Sequence, residues 1–143
     1  MSASSTAGRP VGQTDAVSSV SAPEPLVRLS VPASPKFLSA ARLVAASLGA
    51  EIGLSVDDLE DLRLGVNELV SALVDGASHG SRVDLEFLPT DGSITVTGVI
   101  EGGTGAAVAD ELTTRILTAV ADHHRLDTSS FVLVKASSLR EQL

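Results

Sequence analysis

The sequence predicts one α/β domain of two layers, a mixed and largely antiparallel sheet with three helices on one face. Segments of period-two hydrophobicity alternate along the chain with segments of period 3.6, in the order strand, helix, helix, strand, strand, helix, strand. That interleaving suits neither a helical bundle nor an all-β sandwich. The 143 residues, 43% of them hydrophobic, suffice for one real core. With three Phe and no Tyr or Trp, that core must be built from Leu, Val, Ile and Ala.

Residues 1–25, "MSASSTAGRPVGQTDAVSSVSAPEP", are rich in Ser, Ala, Gly and Pro and hold no continuous apolar run of signal-peptide type. They read as a disordered tail, and the domain as 26–143. "LVRLSV" (Leu26 to Val31) alternates apolar and polar residues like a strand exposed on one face, and Pro32 ends it. Ser34 and Pro35 suit the start of a helix on which Phe37, Leu38, Ala41, Val44, Ala45 and Leu48 recur at helical spacing, with Gly49 and Gly53 bracketing its exit. Ser55 caps the second helix, and Asp57 and Asp58 occupy its first turn, where the helix dipole favours negative charge. Its apolar stripe is Leu59, Leu62, Val66, Leu69, Val70 and Leu73, and Gly76 stops it. "RVDLEFLP", the turn "TDG" and "SITVTGVI" form a β-hairpin with Val83, Leu85 and Phe87 on one face. After the loop "EGGTG", a helix from about Ala109 to His123 carries Leu112, Ile116, Leu117 and Val120, and "FVLVKA" is the last strand.

Eighteen acidic against ten basic residues give a net charge of −8, which repels nucleic-acid phosphates and anionic lipid, and the scarcity of aromatics removes base-stacking platforms. Neither nucleic acid nor membrane is therefore expected as a partner, and no apolar run reaches bilayer length. The absence of cysteine excludes disulfides, thiolate nucleophiles and Cys-based zinc sites, and suits a reducing cytoplasm.

Three groups of residues are chemical candidates. On the second helix Asp61, Gly65, Glu68, Ala72 and Asp75 share one side, a small and acidic stripe whose plainest reading is a solvated face. Glu51, Asp57, Asp58, Glu60 and Asp61 form an acidic run with no basic residue before Arg63. Such a run is either a solvated helix start or a docking surface for a basic partner, which would raise association rate more than affinity. Asp122, His123 and His124 sit near the end of the third helix, too few and too divergent for a metal site. Ser71 and His79 lack the nucleophile elbow and ordered acid of a hydrolase.

The stretch "PASPKFLSAARLVAASLGAEIGLSVDDLEDLRLGVNELVSALV" resembles the two N-terminal helices of the anti-sigma-factor branch of the ATPase superfamily shared by histidine kinases, gyrase and Hsp90. "RILTAVADHHRLD" resembles the helix before that branch's final strand. The resemblance covers Leu26 to about Lys135 and implies the histidine kinase-like ATPase fold. It also implies an acidic residue on the second helix that orients or activates the attacking group, which Glu68 matches as the catalytic candidate. A magnesium-ligating Asn should follow four residues later, but Ala72 stands there, and a methyl group cannot coordinate Mg²⁺. Asn67 is no substitute, because it points about a quarter-turn from the stripe. The nucleotide-reading D-x-G-x-G motif corresponds to "EGGTG", with Glu101, Gly103 and Gly105 in register and glutamate in place of aspartate. The same glycines also suit an ordinary loop after a hairpin strand. Only "AAVAD" stands where a lid is expected, the lid's glycine positions fall at Glu111 and Thr113, and Asp110 and Glu111 put negative charge where a triphosphate would lie.

The resemblance thus implies a cytoplasmic regulator like an anti-sigma factor, binding a sigma factor and/or a partner of the small anti-anti-sigma (STAS) fold, with homodimer formation. Asp57, Asp58 and Glu60 are its candidate partner-binding residues. No metal site is expected, and no cofactor unless Mg-ATP still binds. Two other readings stay open: an active ATP-dependent serine kinase with Glu68 as base, and an acidic domain with a structural role in a complex. The tail's composition cannot offset its ordering entropy, so a chain beginning at Glu24 should unfold at the same temperature as the full chain; a large loss of thermal stability would contradict this.

Overall fold

The computed structural model describes residues 25–101, 107 and 109–141. Strand β1 (Val27–Pro32) leads through a 3-10 turn (Pro35–Phe37) into α1 (Leu38–Glu51) and α2 (Val56–Asp75). The hairpin β2 (Arg82–Thr90) and β3 (Ser93–Glu101) follows, then α3 (Glu111–Val120), β4 (His123–Leu126), β5 (Ser130–Ala136) and α4 (Ser138–Glu141). Of the tail expected over residues 1–25, residues 1–24 lie outside the described residues.

The five strands lie in the order β1-β2-β3-β5-β4. All four pairings are antiparallel, so the two-layer sandwich is as expected but its sheet is not mixed among the described residues. The reason lies in the connection after β3. Helix α3 carries the chain past one strand position, and β4 then turns back so that β5 fills the gap, antiparallel to both neighbours.

The strand pleat sends Val83, Leu85, Phe87, Ile94, Val96, Ile100, Phe131 and Leu133 into the core beneath the helices. Helix α2 runs through the middle of the helical layer, touching α1 on one side and α3 on the other and resting on β2, β3 and β5. Ser55 caps it as expected, its Oγ accepting the Asp58 amide at 3.1 Å. The Asp91–Gly92 turn joins β2 to β3 with Gly92 at φ 79°, the left-handed conformation that a two-residue hairpin turn needs.

Two details differ from expectation. Helix α3 ends at Val120, and His123 and His124 begin an edge strand whose partners are Val134 and Leu133. "HHRL" carries little apolar signal because an edge strand with half-buried and exposed side chains needs little. Ser34 makes no side-chain cap, and Pro35 starts a 3-10 turn that passes into α1 at Leu38. No helix of the described residues is long and apolar enough to cross a membrane.

Gly98 on β3 stands opposite Phe131 on β5, whose ring lies across it: a Cβ at Gly98 would be 2.3 Å from the ring's Cε2. Gly98→Ala should therefore cost about 1–3 kcal/mol through overpacking. Adding Phe131→Leu should recover part of that loss in urea unfolding, whereas additive losses would show that the ring is not the obstacle.

Candidate functional site

Helix α2 approaches the sheet closely at Gly65, where a Cβ would meet both Leu133 methyl groups at 3.3 Å. Gly65 and Ala72 are buried while Asp75 stays exposed, so the small residues of the stripe form a packing seam and only its far end is a solvated face. Glu68 lies between them, half-buried, and its Oε1 accepts from Thr113 Oγ1 at 3.3 Å. The first turn of α3 thus faces Glu68 across a cleft of about 220 Å³ lined by Glu68, Ser71, Ala72, Asp75, Asp110 and Thr113. Asp110 caps α3, its Oδ1 accepting the Thr113 amide at 2.7 Å. That hydrogen bond holds the Asp110 carboxyl below its ordinary range. Glu111 turns outward to Arg115 at 3.1 Å.

Glu101 is not brought to this cleft. At the end of β3 it pairs with Arg82, on the sheet face away from the helices, while Ile100 points inward. A hydrogen bond shared with Asp84 raises the Glu101 carboxyl and lowers that of Asp84. Strand alternation decided the direction, and a motif match alone does not carry that information. Gly103 and Gly105 lie outside the described residues.

The acidic run divides. Asp58 is 2% exposed, which corrects its assignment to a docking surface. Its Oδ2 accepts from the Ser138 amide at 3.0 Å and from Ser138 Oγ at 3.1 Å, and Lys135 Nζ lies 3.8 Å from Oδ1. Lys135, 8% exposed, also donates to Asp61 Oδ2 at 3.3 Å. The sequence carried a signal for this: Lys135 is the third inward place of "FVLVKA" after Phe131 and Leu133, where a lysine must find a buried partner. Asp57 and Glu60 remain exposed, Glu60 beside Arg63 at 3.0 Å.

Glu60 and Asp61 also line a groove of about 480 Å³ between α1 and α2, together with Arg42, Arg63, Leu64 and Asn67. Arg42 Nη1 donates to Asn67 Oδ1 at 2.6 Å, so Asn67 does face away from the Glu68 cleft. Leu43 and Leu64 are 70% and 41% exposed on these helices. Neither Arg42 nor the two leucines stood out in sequence, because each fits a plain amphipathic helix. Ser71 and His79 line different clefts. Asp122 accepts the Ala136 amide at 2.7 Å, and His124 Nε2 sits 3.4 Å from Thr118 Oγ1.

No protein-family model matches the sequence. Among curated proteins, the serine-protein kinase RsbW of Bacillus licheniformis is 29% identical over 86 residues, 59% of this chain and 49% of that protein. RsbW of Bacillus subtilis is 28% identical over the same length, and RsbW of Halalkalibacterium halodurans is 31% identical over 62 residues, 43% of this chain and 38% of that protein. The chain is a distant homologue of the RsbW serine-protein kinases. It spans about half the length of the curated relatives it matches or less. At that distance the matches support a distant relationship to the anti-sigma-factor and serine-kinase branch, and the antiparallel sheet with its layer of helices is consistent with the histidine kinase-like ATPase fold of that branch.

Against the magnesium nucleotide that a serine kinase uses, the lining of this RsbW homologue's cleft is a poor fit. The described lining presents three carboxylates, two hydroxyls and the Ala72 methyl, with no basic side chain. Asp110 already occupies the amide of the α3 N-terminus that a phosphate oxygen would take.

Burial opposes ionisation of Asp58, but the Ser138 and Ser55 hydrogen bonds outweigh it and hold the carboxyl below its ordinary value. A folded-state value below the unfolded one contributes stability that is fully present above the unfolded value, about 3.9, and lost as pH falls through the folded value. Asp58→Asn should thus lower stability by about 1–3 kcal/mol at neutral pH, and the deficit should shrink below about pH 4 in denaturant titrations. A deficit independent of pH would assign the loss to packing.

Proposed function

We propose that the chain is a cytoplasmic protein-binding regulator of the anti-sigma type. It holds a sigma factor and/or a STAS-type anti-anti-sigma partner by surface complementarity, with weak or lost ATP binding. The observation that carries the reading is the α1–α2 groove, in which Arg42, Arg63, Glu60 and Asp61 present both signs of charge beside the exposed side chain of Leu64. Exposed apolar side chains ringed by charge are the composition of a protein-docking patch. Asp57 and Glu60, on the solvent side of the same helix turn, add negative potential that favours association with a basic surface.

An active serine kinase with Glu68 as base is the competing reading, favoured by the RsbW relatives being serine-protein kinases. The Glu68 cleft argues against it, because phosphoryl transfer depends on positioning and on neutralising phosphate charge. Homodimer formation belongs to the same family reading, and sedimentation of the purified chain measures it directly.

Arg42→Glu combined with Leu64→Asp should weaken capture of a sigma factor or STAS-type partner at least about tenfold, each new charge being worth more than 1.4 kcal/mol at a desolvated contact. Calorimetric titration with Mg-ATP should show no micromolar site, and Ala72→Asn alone should not create one. Phosphorylation of a STAS-type partner that Glu68→Ala abolishes would establish the kinase instead. Folded protein that recovers neither kind of partner would leave the structural role.

A further inference from the structure

The sheet ends in two strands of unlike character, β1 and β4. Strand β4 is four residues long, with basic His123 and Arg125 at its exposed places, a guard against pairing with another chain. Strand β1 has six residues in unbroken register with β2, and no charged side chain on its core face. Val27 and Leu29 on that face pack against the core yet stay half-buried, because α1 rests on β2 and β3 and leaves them at the margin of the helical layer. The Ala33 amide donates to Ser81 O at 2.9 Å in continuation of the β1–β2 ladder, which fixes Val27, Leu29 and Val31 as the residues bonded to β2. The N–H and C=O of Arg28 and Ser30 therefore face the open edge. Arg82 Nη2 donates to Ser30 O at 3.2 Å, and that oxygen keeps its second lone pair.

An edge of this kind accepts a further strand, and the residues of β1 specify which. We propose that β1 pairs antiparallel with β1 of a second copy about a two-fold axis at Leu29, joining the two sheets into one. In that register Arg28 and Ser30 exchange backbone hydrogen bonds with Ser30 and Arg28 of the second copy. Leu29 meets its counterpart and Val27 meets Val31 of the second copy, so each chain covers aliphatic side chains that the other leaves half-buried. On the outer face the row runs Glu86, Arg28, then Ser30 and Asp84 of the second copy, which sets a cation between two carboxylates. Neighbouring registers are worse. Centring on Arg28 opposes two guanidinium groups, and centring on Ser30 puts Pro32, which has no N–H, against Arg28. A slip of one residue sets core-facing side chains against outward ones. The pairing closes on itself, because the edges left over are the two short β4 strands. It deepens the homodimer reading given above and rests on it, while the α1–α2 groove and the Glu68 cleft take no part.

Sedimentation of the full chain should show a monomer–dimer equilibrium, and hydrogen exchange at the Arg28 and Ser30 amides should slow as concentration rises. Arg28→Glu turns the cation between two carboxylates into a third carboxylate, so it should weaken the dimer at least about tenfold while the chain stays folded. A second measurement reads the register. The chain has no cysteine, so Leu29→Cys carries a single thiol. Across a non-hydrogen-bonded pair, with Cα atoms about 4.5 Å apart, that thiol should form a disulfide-linked dimer in oxidised glutathione faster than Ser30→Cys does. A chain that stays monomeric at every concentration overturns the homodimer and this pairing together. A dimer that survives Arg28→Glu, leaves the Arg28 and Ser30 amides in free exchange and cross-links no faster at position 29 keeps the homodimer and overturns the β1 interface.

Discussion

A buried lysine constrains the whole arrangement. Lys135 emerges from β5 on the core side, and an ammonium group there is tolerated only with anionic partners, since removing the partner of a buried charge typically costs about 3–5 kcal/mol. Asp58 and Asp61, one turn apart on α2, supply them. The start of α2 is thereby tied to the end of β5, and Asp58 also holds Ser138, so the chain beyond the sheet is anchored at the same point. Gly65 makes the second fixation, bringing the helix axis down onto Leu133. With those two points set, the rest of α2 has a single course, and Glu68 must lie over the first turn of α3.

The same helix therefore serves two surfaces of opposite character. Its inner flank presents Glu68 to a small cleft lined by three carboxylates and no basic side chain among the described residues, so negative charge there is uncompensated. Its outer flank, together with α1, presents a groove whose charges are paired or nearly so: Arg42 with Asn67, Arg63 with Glu60, Asp61 with Lys135. Anionic phosphates are disfavoured on the first flank, while protein side chains of either sign find partners on the second. Asp110 sharpens the contrast, because the carboxylate that stabilises α3 by capping it also satisfies the amide that an anion would need.

Much of the fold was legible along the chain. The hairpin turn, the Ser55 cap and the inward set Val83, Leu85 and Phe87 follow from near neighbours, since side-chain period and turn conformation are fixed within a few residues. Glu68 was also legible as a candidate, because one carboxylate among small and apolar residues stands out on a helix. Strand β4 was not: an edge strand buries too little to impose alternation, so its identity comes from pairing with β5.

What only the tertiary structure decided are the facts that join distant residues. Asp57 and Asp58 are indistinguishable in sequence, both acids in a first helical turn; Asp58 is buried because Lys135 and Ser138 arrive beside it from 77 and 80 positions away. Glu101 faces away from Glu68 because the pleat of β3 places it there, and Thr113 meets Glu68 across 45 residues because α3 packs against α2. The sequence by itself determined the elements, the net charge and the small residues that let α2 settle onto the sheet, all properties set by each residue and its near neighbours. Which carboxylate is solvated and which is paired depends on the solvent and charges brought to it by packing, and those exist only once the chain is folded.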